Sequence, residues 1–481
     1  MSEENKPLIS NADPDRLSDN KNCSTRFPNF SDSSDTSCVH IDGEPMDNSA
    51  DTFKGIYNEK QTYNPLLNRT LENPTTNVDT MIHLLKGNIG TGILAMPDAF
   101  RNSGWLIGIF GTAFMAVICT HCMHILVYCS QELCQRLKIP TLGFADVAEI
   151  SISTGPKQFQ RYSKCARRIV SVFLVITQMG FCCVYFVFVA ANLQEVIGYY
   201  FIRLDVKWFL VMLLIPLISL SFIKSLKYLT PASLIASILT ISGLSIIFFY
   251  LLQGLPRTST VNAFNSLSTL PLYFGTAIYA FEGISLVLPL ENNMRTPQDF
   301  GGISGVLNTS MVIVTCLYIG VGFFGYLKYG NAVKVGSITL NLPHEDILAQ
   351  SVQICMAVAI FLSYGLQFYV PMNIIWPSLS QKLSTDLTMK YGEHLVRIVL
   401  VLFTFMMAIA VPNLGAVISL VGSVSSSILA LIIPPLIEMA TFWNSGISKV
   451  TITKDVFITL FGLLGFFAGS YTSIVNIFQK K

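Results

Sequence analysis

Apolar residues in this chain fall into long, nearly unbroken blocks rather than strand-like alternation or one-sided helical stripes. A membrane-crossing helix needs roughly 20 mainly apolar residues. Eleven segments meet that requirement: about 79–99, 105–130, 168–198, 207–223, 230–253, 269–292, 303–327, 347–373, 394–412, 414–440 and 456–478. The pattern predicts an all-α membrane protein with eleven transmembrane helices. Two blocks are interrupted. Residues 81–97, MIHLLKGNIGTGILAMP, carry Gly87, Gly90 and Gly92, the polar Asn88 and Thr91, and the ionisable His83 and Lys86. Residues 274–291, FGTAIYAFEGISLVLPLE, place Gly275, Glu282, Gly283 and Pro289 in an otherwise apolar run. A backbone in hydrocarbon must satisfy its own polar groups, so such a break survives only against protein or a watery cavity. Interrupted segments at matching positions of two halves point to an inverted-repeat transporter. Spans one and six each open a set of five. The expected organisation is a first repeat over 79–253, a second over 254–440, and an eleventh helix with a short non-cytosolic C-terminus over 441–481.

Composition sharpens this picture. The chain has 481 residues, 52% hydrophobic and 12% charged, and a soluble domain carries about twice that charge. Its net charge of +2 argues against a nucleic-acid partner. Residues 1–78 hold 13 acidic and 7 basic residues, with little apolar clustering. That composition reads as a disordered acidic cytosolic tail rather than a signal peptide. With the tail inside, the cytosolic loops hold fifteen Lys and Arg and the opposite loops eight, in line with the positive-inside rule. The cysteines sit mostly in apolar runs and read as packing residues. Cys119 and Cys122 have metal-like spacing without a second pair. No metal, cofactor or enzymatic activity is expected.

The candidate chemistry lies at the interruptions. Unwinding at Gly90, Thr91 and Gly92 would free N–H groups, and the positive end of the following half-helix favours a carboxylate. Close packing through small residues is the competing reading. Glu282 is a mid-span carboxylate, costly to bury unless protonated or paired, and so a candidate proton acceptor. Structural bonding to the unwound backbone is its alternative. Phe281 and Gly283 flank it, Phe281 as a gate over a small ligand or as packing. His83 lies seven residues before Gly90, two turns away on one face, and an imidazole suits a proton relay. Lys86 reads as snorkelling toward the cytosol. Gln178, Tyr185, Asn192 and Glu195 form a polar stripe in span three, and Ser363, Tyr364 and Gln367 another in span eight. Either stripe lines a cavity or serves interhelical hydrogen bonds.

These residues carry a resemblance. HLLKGNIGTGILAMPDAFRNSGWLIG (83–108) and FGTAIYAFEGISLVLPLENNM (274–294) resemble the signature segments of the proton-coupled amino acid transporters, in the amino acid/auxin permease group of the amino acid–polyamine–cation superfamily. TQMGFCCVYFVFVAANL (177–193) and SYGLQFYVPMNIIWP (363–377) resemble that family's third and eighth spans. The likeness runs over roughly residues 75–480. It implies a LeuT-like, five-plus-five inverted-repeat core plus an eleventh helix. It implies secondary active transport of small neutral amino acids by alternating access, with protons as the driving ion. It ties His83 to proton dependence, Gly90 to Gly92 to the substrate carboxylate, and Phe281 to Gly283 to the sixth-span half of the site. A proton-independent amino acid carrier or an amino-acid-sensing receptor is the alternative. The family's disulfide between the loops after spans three and seven is not expected, since 199–206 and 328–346 contain no Cys. In the tail, Glu4-Asn-Lys-Pro-Leu8-Ile9 and Tyr63-Asn-Pro-Leu66 have the spacing read by sorting adaptors. The expected location is the plasma membrane or the lysosomal and late endosomal membrane, with sorting adaptors or signalling proteins as partners of the tail.

Overall fold

The computed structural model describes residues 64–66, 69, 71, 74–201, 204–224, 226–381, 386–411 and 413–479. The acidic dileucine pattern and most of the acidic tail lie outside the described residues. The first apolar block forms two helices, α1 (Asn77–Asn88) and α2 (Thr91–Ser103), joined through Ile89 and Gly90. They are followed by α3 (Trp105–Leu137), α4 (Phe144–Thr154), α5 (Ser163–Tyr200), α6 (Val206–Ser221) and α7 (Leu226–Leu252). The second interrupted block again gives a pair, α8 (Leu270–Ala280) and α9 (Ile284–Asn292). Then come α10 (Val306–Tyr329), α11 (Ile347–Ser380), α12 (Asp386–Ala410) and α13 (Leu414–Val421). From α13 the chain runs through a π-helical stretch, Gly422–Ile432, into α14 (Ile433–Phe442), and ends in α15 (Lys449–Gln479).

Each of the eleven expected apolar segments is helical over most of its described residues. Among the described residues, nine helices are long and apolar enough to cross a membrane, the α8–α9 pair counted as one. The first block falls short because its break divides it, and α6 has only 16 residues. The basic stretch after span two contains a helix the apolar count did not anticipate. α4 buries Phe144, Val147, Ala148 and Ser151 and packs on α5 and α14. It is too short to span and too apolar on one face to stay a loop.

Local chemistry sets several helix starts. Thr76 caps α1, accepting from the Asp79 N–H at 3.2 Å while the Asp79 carboxylate accepts from the Thr76 N–H, a reciprocal capping box. Asp205, Asp346 and Asn413 cap α6, α11 and α13 through their side chains. Burial separates the inner helices from the outer ones. The span through α13 and α14 is 72% buried in its apolar window, against 22% for α12 and for α15. The outer helices therefore present apolar surface that only lipid would cover. The protein is a multi-pass membrane protein. The inner helices approach at backbone contact: a methyl added at Gly92 would lie 2.8 Å from the Ala280 Cα, and one at Gly422 would overlap the Gly275 carbonyl oxygen. Small residues at those crossings let α2, α8 and the π-helical stretch meet.

The segment entering α1 is fastened to the segment leaving α9. The Thr75 N–H donates to the Asn293 carbonyl at 2.8 Å, and the Arg295 N–H donates to the Thr75 carbonyl at 2.9 Å. Arg69 is buried beside the fully buried Glu291, its guanidinium 3.0 Å from the carboxylate. The same guanidinium donates to the Glu291 and Pro140 carbonyls. Gln131 on α3 donates to the Glu291 carboxylate at 2.8 Å.

Candidate functional site

The two breaks in the apolar blocks meet against α10. α1 ends at Asn88, Gly90 adopts a backbone conformation that is neither helical nor extended (φ −134°, ψ −139°), and α2 begins at Thr91. α8 ends at Ala280, and Phe281, Glu282 and Gly283 carry the chain to α9. The first N–H groups of a helix and the last carbonyls have no partner within it. At this point α2 and α9 present N–H ends while α1 and α8 present carbonyl ends. Tyr318 on α10 fixes the pair. Its hydroxyl lies 2.6 Å from the Asn88 carbonyl and 2.7 Å from the Ala280 carbonyl, so its one proton serves either broken end. The Phe281 ring packs on Tyr318, with centroids 4.9 Å apart. The Thr91 hydroxyl bonds the Tyr279 hydroxyl at 2.8 Å, joining α2 to α8.

Three helices wall this junction. Tyr185 on α5 approaches Gly90, its hydroxyl 3.4 Å from where a methyl would stand there. That hydroxyl accepts from the Gln367 amide on α11 at 3.2 Å. Asn88 is buried; its amide nitrogen donates to the Leu84 carbonyl at 2.9 Å, and its amide oxygen has no partner. A methyl at Gly283 would lie 2.9 Å from that same amide. Gly90, Thr91, Gly92, Tyr185, Phe281 and Gly283 are thus brought together.

The remaining candidates lie apart from this group. Glu282 belongs to the second break and is buried, but its carboxyl turns toward Ser426 in the π-helical stretch and Cys119 on α3. The Ser426 hydroxyl is its polar neighbour, and no cation pairs with it among the described residues. Tyr364 is fully buried and bonds Thr404 on α12 at 3.1 Å, away from the breaks. His83 is exposed on α1, with Asp79 and Lys86 as its charged neighbours along the same helix. It shares none of the neighbours of Glu282. Lys86 does not snorkel outward: its ammonium donates to the Ser233 carbonyl at 2.6 Å and to the Ser233 hydroxyl, tying α1 to α7. In the span-three stripe only Tyr185 reaches the junction. Gln178 is buried, while Asn192 pairs with Thr339 at 2.7 Å and Glu195 with Lys334 at 2.7 Å, both in the segment after α10. Ser363 bonds back to the Ala359 carbonyl within α11.

Tyr318, Tyr279, Ser426 and Arg69 were not distinguished in the sequence. A tyrosine in an apolar run looks like packing, and nothing local marks which one faces a break two helices away. The serine-rich 422–427 was the available signal for the π-helical stretch, a geometry that recurs at functional sites. Chemically, the junction offers N–H ends for an anion and carbonyl ends for a cation a few ångströms apart, with aromatic rings around them. Those are the requirements for a small zwitterion.

Comparisons with known proteins identify the family. Residues 73–475 match the family described as transmembrane amino acid transporter protein. The Drosophila melanogaster proton-coupled amino acid transporter-like protein pathetic is 40% identical over 422 residues, covering 86% of this chain and 88% of that protein. The Arabidopsis thaliana amino acid transporter AVT3C is 28% identical, covering 82% of this chain and 89% of that protein. The solved inward facing conformation of Mhp1 superposes with a TM-score of 0.55 at 13% identity, over 88% of this chain and 93% of that one. At that identity the likeness carries the fold alone, a LeuT-like inverted-repeat transporter fold with two broken helices. The chain belongs to the transmembrane amino acid transporter protein family, the amino acid/auxin permease group, and within it to the proton-coupled amino acid transporter family.

Proposed function

We propose that this amino acid transporter carries small neutral amino acids by alternating access, coupled to proton movement, with its N-terminus in the cytosol. The observation that carries the reading is the junction of the two breaks, where the Tyr318 hydroxyl lies within hydrogen-bonding distance of both broken helix ends. A substrate carboxylate is held by the N–H groups at Thr91 and Gly92, and by that of Gly90 once it leaves the Asn88 carbonyl, to which it donates at 3.0 Å. Its ammonium meets the carbonyls at the α8 end, from Ala280 to Gly283, and Tyr185 with Phe281 limits the side chain to a small one. Tyr364 supports the wall through α12. A substrate that takes over the Tyr318 hydrogen bonds would loosen the link between α1 and α8, giving binding a direct mechanical consequence.

Coupling is assigned to Glu282, whose buried carboxyl has no cation beside it among the described residues and is most stable with a proton on it, and to His83 at the exposed side of α1. Proton occupancy at Glu282 would alter its contact with Ser426 and so the packing of the second break on the π-helical stretch. The relative named for proton coupling supports this reading by its 40% identity. The paired repeats over 79–253 and 254–440, residence in the plasma membrane or the lysosomal membrane, and adaptor binding by the tail belong to the same proposal.

The deciding experiment is uptake of radiolabelled alanine, glycine and proline with current recording, in cells displaying the protein at their surface. Uptake with inward current that rises at acid pH supports symport. Uptake without current or pH dependence moves the function to a facilitative carrier, which the exposure of His83 and its distance in the fold from the Glu282 neighbours would favour. In the symport case, His83→Ala retains surface protein and loses acid stimulation. Stimulation that persists in that variant removes His83 from the coupling.

A further inference from the structure

Away from the two breaks, α15 presses a second set of ionisable groups against α3 and α14. Asp455 is fully buried; its Oδ1 faces an ammonium as an ion pair, and its Oδ2 accepts no hydrogen bond. Its neighbour Lys454 lies 3.2 Å from Asp455 Oδ1 and 2.7 Å from Glu438 Oε2 on α14. Cys122 and Cys129 on α3 are within electrostatic reach of Asp455, and His121 is within reach of Lys454 and Glu438. His124 is engaged with Asn308 at 2.7 Å, whereas the buried Nε2 of His121 has no partner. The candidate transport site uses none of these groups.

The charges do not balance. Two carboxylates face one ammonium, which leaves a surplus negative charge beside a fully buried oxygen pair, and such a charge is costly unless something neutralises it. A second metal-like cation is a poor solution, because the Lys454 ammonium already sits between the two acids. Among the described residues no group of three or more His, Cys, Asp or Glu is arranged to hold a metal ion. A proton needs only a lone pair, and Asp455 offers one on Oδ2, the oxygen that Lys454 does not pair with. Lys454 is 31% exposed and Glu438 14%, so the cluster has a path to water even though Asp455 has none. We propose that Glu438, Lys454 and Asp455 form a proton-binding site, separate from the helix breaks, that holds one proton on the acid pair with its main seat at Asp455.

The position of this site along α3 gives it a relation to the second break. Cys119 is within electrostatic reach of Glu282, and Cys122, one turn further on, is within reach of Asp455, so α3 runs past both buried carboxyls. The proposal does not require that the protein transport anything, and its test does not use transport.

The test is infrared titration of the purified full-length protein in detergent, in sodium-free buffer, following the carbonyl stretch of protonated carboxyl groups. Glu282→Gln keeps a protonated-carboxyl band at neutral pH, because α15 is intact. Asp455→Asn in that background removes it. Glu438→Gln also removes it, because one acid and one lysine then balance. Lys454→Met adds a second band, because two acids then need two protons. Absence of the band in Glu282→Gln overturns the proposal, as does its persistence in Asp455→Asn or an unchanged signal in Lys454→Met. A band that disappears on adding sodium overturns it in favour of a metal-cation seat.

Discussion

Gly90 and Gly92 stand two residues apart, yet the space around them differs. A methyl at Gly92 meets the Ala280 backbone at 2.8 Å, while one at Gly90 meets only the Tyr185 hydroxyl at 3.4 Å. A backbone atom cannot step aside as a side-chain tip can. Gly92→Ala should therefore separate α2 from α8, at about 1–3 kcal/mol of overpacking, and abolish most uptake per molecule at the surface. Gly90→Ala should retain a substantial share, and equal loss in the two variants would contradict the packing argument. Tyr318→Phe removes the hydroxyl shared by the Asn88 and Ala280 carbonyls and leaves both buried. The expected cost is about 1–3 kcal/mol, read as a lowered melting temperature of the purified protein together with reduced uptake. The glycines announced themselves in the sequence because hydrocarbon excludes such a break. Tyr318 did not, since its role depends on two carbonyls remote from it in the chain.

At the scale of helices, the paired breaks create four helix ends inside the protein, and the segments on one face hold the outer ends of α1 and α9 together. Arg69 and Glu291 are the buried charged pair in that fastening. Removing one partner of a buried pair leaves the other uncompensated, at about 3–5 kcal/mol. Arg69→Met and Glu291→Gln should each lower the melting temperature markedly. The double variant should recover part of the loss, and strict additivity would show that the pair is not coupled. The tail's acidic composition gave no hint of this, because Arg69 counts there as one base among seven. The helix lengths and the breaks were legible from apolar runs. α4 was not, since a short helix that buries one face produces no span-length signal.

At the scale of the molecule, the fastening on that face has a definite pH behaviour. Asp299 accepts from the Asn77 amide at 2.8 Å, and that bond, with a contribution from Thr296, holds its carboxyl below the usual 3.8. A carboxyl whose folded value is lowered contributes while it is ionised, and the contribution fades only as pH falls through the ordinary carboxylate range and below. The link should therefore hold unchanged from about pH 7 down to about pH 5, above that range. Thiol labelling of a cysteine placed at Val78, which is exposed beside Asn77, should not change across that interval. A rise in labelling at the acid end would mean that this face opens by another titration. Any acid stimulation of transport over the same interval then belongs to other groups, Glu282 and His83 among them.

The sequence by itself determined the membrane class, the helical segments, the two interruptions and the family, because each is set by local composition against hydrocarbon or by contiguous motifs. The tertiary structure decided which residues the interruptions meet. It brought Tyr185 and Tyr318 to the broken ends, turned Glu282 toward Ser426, left His83 on the outside of α1, and set Asp455 against Glu438 across two helices. Those placements follow from the crossing of helices far apart in the chain at glycine and alanine contacts, and no periodicity along a single segment records which face will receive which neighbour.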